Sequence, residues 1–332
     1  MNTLVKRVMT AKDAPWAIVL AGGDGTRLEG ITVDDQGRPA PKQYCRIGSD
    51  QSMIDKAFAR AERVAPPERI IPVVAQAHEQ WWSPALRKYP AENRLAQPLN
   101  RGTAVAILAA LLHILRLERE PKIVILPSDH AVDDEGVLAK SFATALDNVA
   151  RNPDLVVLLG MPPEGPEEGY GWIEPLAAPT GDPSPVATFV EKPLPGVATE
   201  LMRRGALWNS FLVAAGGRCL FDLFRIAQPD LVRAFGSTVP EPADLFRIYA
   251  RLPERDFCRH VLEQVPGRLR VIRVPPCGWI DLGSPTRVRR FLAARGVPHA
   301  PGRTPETGPE AAYAIKERGR EREPVALPTA VG

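Results

Sequence analysis

A chain of 332 residues has room for one large or two modest domains and can bury a core unaided. Its 45% hydrophobic and 24% charged residues match ordinary globular chains and exclude wholesale disorder. The formal charge of +3 is dispersed, which excludes a basic nucleic-acid surface and a basic amphipathic membrane face while leaving anionic small molecules as partners.

Taken in chain order, the pattern alternates strand and helix. The run Trp16 to Ala21 is short, apolar and closed by glycines, as a buried parallel strand should be. Apolar residues at helical spacing predict a helix over 52–64, a strand follows at 70–75, and a strongly apolar helix is predicted over 103–117. A second buried strand (122–127), a helix (136–150) and a further strand (155–159) complete a doubly wound α/β pattern. After residue 160 shorter strands are predicted at 169–174, 186–191 and 207–214, between Pro/Gly loops. Helices fill 217–264, a last strand covers 269–274 and a short helix covers 285–294. This later half reads as an elaboration around the mouth of the sheet. Residues 296–332, rich in Pro, Gly, Arg and Glu, read as a disordered tail.

Apolar runs such as 104–112 are far shorter than the roughly 18 residues that span a bilayer. The polar pair Lys12 and Asp13 interrupts the place where a signal-peptide core would lie, so a cytoplasmic location is expected. Cys45, Cys219, Cys258 and Cys277 are widely separated, without the spacing of a zinc site or a disulfide framework. Lysine is scarce, at 9 against 33 arginines, so each lysine in a motif carries more weight.

The chemistry begins at Leu20-Ala-Gly-Gly-Asp-Gly-Thr-Arg-Leu28, a glycine-rich turn whose bare backbone N–H groups suit phosphate oxygens. It lacks the third glycine of the dinucleotide fingerprint and the Gly-Lys-Ser/Thr of a Walker loop. What remains is a glycine loop closing on Arg27, whose guanidinium fork can hold pyrophosphate. Lys42 in Ala40-Pro-Lys-Gln43 and Lys192 in Phe189-Val-Glu-Lys-Pro193 each stand beside a proline.

Seven pieces resemble, in order, the sugar-1-phosphate nucleotidyltransferases and among them the mannose-1-phosphate guanylyltransferases. They are residues 20–27, Pro41-Lys-Gln43, Leu126-Pro-Ser-Asp-His130, Gly169-Tyr-Gly-Trp-Ile-Glu174, 189–193, Leu207-Trp-Asn-Ser-Phe211 and Gly278-Trp-Ile-Asp-Leu-Gly-Ser284. The resemblance implies a Rossmann-like, doubly wound mixed sheet of the GT-A-like kind, with a sugar-binding elaboration. One catalytic domain would cover 14–295, its nucleotide-binding half about 14–160 and its sugar-phosphate half about 161–295. It implies transfer of a nucleotidyl group from an NTP, GTP foremost, to a sugar 1-phosphate, mannose 1-phosphate foremost, with release of pyrophosphate. Another NTP and sugar pair, or a non-catalytic sugar-nucleotide-binding homologue, is the alternative.

The resemblance also distributes roles. Gly22, Gly23 and Gly25, with Leu20, Ala21 and Thr26, would cradle the nucleotide, and Arg27, Lys42 and Lys192 would act on the phosphates as catalytic cations. Gln97 would read the base, flanked by Gly102 and Thr103. Gly171, Glu191 and Asn209 would hold the sugar phosphate, and Asp129 and Asp281 would hold magnesium, a hard ion suited to two carboxylates and phosphate oxygens. The chain departs from the guanylyltransferases at Leu99-Asn-Arg-Gly-Thr-Ala-Val105, around 256–260, at Phe211, at Pro285 and through 28–40. No nucleic-acid or membrane partner is expected, and homodimerisation is left open.

Overall fold

The computed structural model describes residues 13–296, apart from 26–27, 29–31, 33, 35–37, 180 and 237–241. Thr26, Arg27 and all of the predicted tail except Gly296 therefore lie outside the described residues.

Among the described residues one nine-stranded sheet organises the chain. Its strands are β1 (Trp16–Ala21), β2 (Ile70–Ala75), β3 (Leu95–Gln97), β4 (Lys122–Pro127), β6 (Val156–Met161), β7 (Gly171–Pro175), β8 (Ser184–Glu191), β9 (Leu207–Gly216) and β10 (Leu269–Arg273). A separate two-stranded ribbon joins β5 (His130–Ala131) to β11 (Ile280–Asp281). The order in the large sheet is β3-β2-β1-β4-β9-β6-β10-β8-β7, with the first four strands parallel and β9 antiparallel to both β4 and β6. This is the mixed, doubly wound sheet that the sequence predicts.

Both faces of the sheet are covered, which is why β1 and β4 read as continuous apolar runs rather than as alternation. Successive side chains point to opposite faces. Ile18, Ile71, Ile123 and Ile125 enter the core that packs against the helix Thr103–Leu117, while Ala17, Val19, Ile70 and Val124 enter the core under the helices Met53–Ala61 and Glu135–Arg151. Eleven of the fifteen residues of Thr103–Leu117 are buried, so its near-uniform apolar composition reflects a helix enclosed on most sides. Side-chain caps fix several helix starts; for example, Ser52 Oγ accepts from the Asp55 N–H, and Asp134 accepts from the Gly136 and Val137 N–H groups.

Two features differ from the sequence reading. The later half does not sit only at the mouth, because β9 runs between β4 and β6 and β10 between β6 and β8. A buried apolar run looks alike whether it pairs parallel or antiparallel, so strand order was not visible in the pattern. The predicted helical stretch 217–264 resolves into the helices Gly217–Ala227, Pro229–Phe235, Pro242–Arg251 and Phe257–His260. No helix among the described residues is long and apolar enough to cross a membrane.

Candidate active site

Ligands of such sheets bind beyond the carboxyl ends of the parallel strands. Here those ends open into a cleft of about 590 Å³ that carries the glycine loop after β1, Gln97 at the end of β3 and Asp129 after β4. Of the residues assigned from sequence, Leu20, Gly22, Gly23, Gly25, Lys42, Gln97, Gly102 and Thr103 line it, as do Asp129, Gly171, Glu191, Lys192, Asn209 and Asp281. Ala21 does not. Its side chain is packed in the core, and its carbonyl accepts from Gln43 Nε2 at 3.1 Å.

The glycine loop is shaped by what lies beneath it. Gly25 has φ +66°, a left-handed conformation, and a Cβ there would stand 3.2 Å from the Lys42 nitrogen. Gln43 Nε2 also donates to the Gly23 carbonyl at 2.8 Å, so the Pro-Lys-Gln segment clamps the loop from below. Across the cleft, a Cβ on Gly102 would run into the Arg255 carbonyl. Thr103 Oγ1 accepts from the Phe257 N–H at 2.8 Å and donates to Asp256 at 3.4 Å, tying the nucleotide wall to the 255–258 segment.

Two carboxylates 152 positions apart are brought together by the ribbon, in which Asp281 pairs with His130, the neighbour of Asp129. Leu282, Ala131 and Leu28 pack with Val288 and Phe291 in a small core beneath it. Lys42 lies between the two acids, its Nζ 2.8 Å from Asp129 Oδ2 and 3.6 Å from Asp281 Oδ1, and it donates to the Leu282 carbonyl at 3.1 Å. Burial pushes the Asp129 pKa up, but the Lys42 ammonium and His130 outweigh it and hold the carboxyl down at about 2. The roles given separately to lysine and aspartates by resemblance thus meet in one ion cluster.

His130 Nδ1 accepts from the Trp279 N–H at 3.2 Å, which leaves the proton on Nε2, the nitrogen facing the carboxylates. Arg287 was missed in the sequence. It donates to Asp281 Oδ2 at 2.9 Å and to Glu167 at 3.1 Å, and stacks 4.0 Å over the Tyr170 ring. No motif marks an arginine six residues beyond the aspartate it orients.

The opposite wall comes from β7, β8 and β9. Gly171 pairs with Glu191 in register, and a Cβ on Gly171 would stand 2.5 Å from Glu191 Oε2 and 3.1 Å from Asn209 Cβ. Glu191 Oε1 meets Lys192 Nζ at 3.1 Å, while among the described residues the buried Oε2 has no hydrogen-bond partner. Asn209 donates to Cys258 Sγ at 3.2 Å. Asp256 and Cys258, which the sequence marks only as a departure from the family, bring one ligating atom each to within 4.8 Å of Glu191. Lys192 itself has φ 52°, rare for a residue with a Cβ.

Burial raises the Glu191 pKa; Lys192 lowers it and Asp256 raises it again. A raised carboxyl pKa means that stability is lost as pH climbs through the window between the unfolded and folded values. Glu191→Gln should therefore raise the melting temperature at pH 7 by about 2 °C or more, with the gain vanishing below pH 4. Sugar-phosphate binding should fall in the same variant. Thermal melts across pH 4–8 check this, and an unchanged melting temperature at pH 7 counts against it.

A family model described as Nucleotidyl transferase matches residues 16–216. The chain is 31% identical over 279 residues to the xanthan biosynthesis protein XanB of Xanthomonas campestris pv. campestris (strain B100), covering 80% of this chain and 57% of that protein. It is 28% identical over 279 residues to the mannose-1-phosphate guanylyltransferase of Escherichia coli, covering 80% of this chain and 58% of that one. The chain thus spans little more than half the length of these relatives. A crystal structure of mannose-1-phosphate geranyltransferase from Thermus thermophilus superposes with a TM-score of 0.71 at 30% identity, over 81% of this chain and 76% of that one. With the family model running over more than half of its residues and carrying β1 to β9, the chain belongs to the nucleotidyl transferase family.

Proposed function

We propose that this chain transfers a nucleotidyl group from a nucleoside triphosphate, GTP foremost, to a sugar 1-phosphate, mannose 1-phosphate foremost, releasing pyrophosphate. The supporting observation is the placement of cations on both walls of one cleft: Lys42 with Asp129 and Asp281 on one side, Lys192 with Glu191 and Asn209 on the other. The names of the Escherichia coli and Thermus thermophilus relatives point to the mannose substrate.

The reaction needs little proton chemistry. An oxygen of the sugar phosphate, already anionic at neutral pH, attacks the α-phosphorus. The α–β bridging bond breaks, and its electron pair leaves with pyrophosphate. The barrier is the approach of two anions, so positioning and charge neutralisation carry the catalysis. Backbone N–H groups of Gly22, Gly23 and Gly25 hold the nucleotide. Lys192 neutralises the incoming phosphate while Glu191 and Asn209 orient its sugar, Glu191 Oε2 accepting from a hydroxyl.

Magnesium fits the Asp129 and Asp281 pair, because the donors are hard carboxylate oxygens that already converge on one cationic atom. When bound, the ion would supply charge neutralisation on the triphosphate oxygens. Pyrophosphate release measured with GTP, dTTP, UTP, CTP and ATP against mannose, glucose and N-acetylglucosamine 1-phosphates tests the reading. GTP with mannose 1-phosphate should give the highest rate. No release with any pair from folded protein would reject the enzyme, and nucleotide-sugar binding without turnover would point to a binding homologue.

A further inference from the structure

Gln97 ends β3 with its carboxamide in the cleft, and only 6% of the residue is exposed. Its Nε2 lies 2.8 Å from the position that a Cβ on Gly22 would take, so the amide nitrogen rests over the glycine loop. Its Oε1 accepts a hydrogen bond from the Tyr249 hydroxyl at 3.3 Å. Tyr249 comes from the helix Pro242–Arg251, in a segment to which sequence motifs assign nothing. It is 1% exposed, with its ring edge-on to Phe235 at 6.0 Å. The same helix end is tied to the segment after β3, because Arg101 Nε donates to the Tyr249 carbonyl at 2.7 Å.

A free glutamine side chain can turn its amide over and present either an oxygen or an N–H, so alone it reads bases loosely. Here one orientation is favoured. Among the described residues the Tyr249 hydroxyl has no acceptor other than Gln97 Oε1. Turning the amide over would leave a buried O–H donor unsatisfied, at a cost of about 1–3 kcal/mol. Burial raises the Tyr249 pKa far above neutrality, so the hydroxyl keeps its proton.

We propose that Tyr249 is a positioning residue that holds the Gln97 carboxamide with its N–H toward the nucleotide subsite, so that the subsite selects bases presenting a carbonyl over bases presenting an amino group at that edge. The inference rests on the reading of the glycine loop as the nucleotide subsite. Guanine, hypoxanthine, uracil and thymine offer a carbonyl acceptor to such an N–H. Adenine and cytosine offer an exocyclic amine, and two donors then face each other without a partner.

Calorimetric binding of GTP, ITP, UTP, ATP and CTP to the whole chain and to Tyr249→Phe tests this apart from turnover. The wild type should bind GTP and ITP within about threefold of one another and at least about tenfold more tightly than ATP, with UTP above CTP by a similar ratio. Tyr249→Phe keeps the ring packing and should shrink both ratios to about threefold or less. Equal weakening of all five nucleotides, with the ratios kept, is the signature of a packing role and overturns the inference. Should Tyr249→Phe fail to fold, Gln97→Glu presents only acceptors and should shift the preference from GTP toward ATP; a retained preference for GTP overturns the inference. Pyrophosphate release with ATP as readily as GTP would sink this selectivity and leave nucleotidyl transfer standing. Selective binding without pyrophosphate release would support it while rejecting the transfer.

Discussion

Lys42→Ala is expected to destabilise the chain by about 3 kcal/mol in metal-free buffer, because removing one partner leaves uncompensated, mostly buried charge. Asp129 and Asp281 would then face one another without the ammonium that now sits 2.8 and 3.6 Å away. A loss of that size lowers the melting temperature by about 5 °C or more. Millimolar magnesium should restore part of it, since a divalent ion satisfies the same carboxylates. The pH dependence should also reverse sign. In the wild type the depressed Asp129 pKa gives stability that is complete above the unfolded carboxyl value near pH 4 and is lost only toward pH 2. Without Lys42 the burial that raises this pKa prevails, so the variant gains stability as pH falls from 7 to 5. Nucleotidyl transfer should drop by about 100-fold or more. Melts at pH 5 and 7, with EDTA and with magnesium, check the cluster; melting temperatures equal to wild type throughout would refute it.

Lys192→Gly is expected to separate stability from activity. Lys192 occupies a left-handed conformation that costs a residue with a Cβ about 1 kcal/mol and glycine little. Its half-exposed pair with Glu191 contributes a similar small amount in the opposite direction. The variant should therefore melt within about 2 °C of wild type, while transfer falls by about tenfold or more because the ammonium facing the sugar phosphate is gone. Lys192→Arg should recover only part of the rate, since a planar fork replaces a compact charge. A glycine variant that transfers at the wild-type rate would remove Lys192 from the mechanism. Lys192 and Phe211, at φ 52° and 60°, both line the cleft, which accords with the tendency of backbone strain to collect at functional sites.

Much of the site could be read from short motifs because each holds its chemistry locally. The glycine loop follows a buried strand, and Lys42 and Lys192 stand out in a chain that otherwise uses arginine. The missed groups act across the chain. Arg287 reaches Glu167 across 120 positions, Asp256 reaches Thr103 across 153, and Tyr249 reaches Gln97 across 152. Their neighbours in sequence carry no trace of these contacts. The ribbon strands β5 and β11 were missed for a simpler reason: two residues each cannot display a period.

The sequence by itself determined the sheet's buried strands, the helices that cover them and the types of group available for phosphate chemistry. These follow from residue periodicity and from backbone and side-chain preferences, which are local. The tertiary structure decided which strands are neighbours, that Lys42 is shared between two aspartates, and that the Gln97 carboxamide meets the Tyr249 hydroxyl. Those depend on contacts among residues far apart in the sequence, where burial and hydrogen-bond satisfaction choose among arrangements that the local pattern leaves equal.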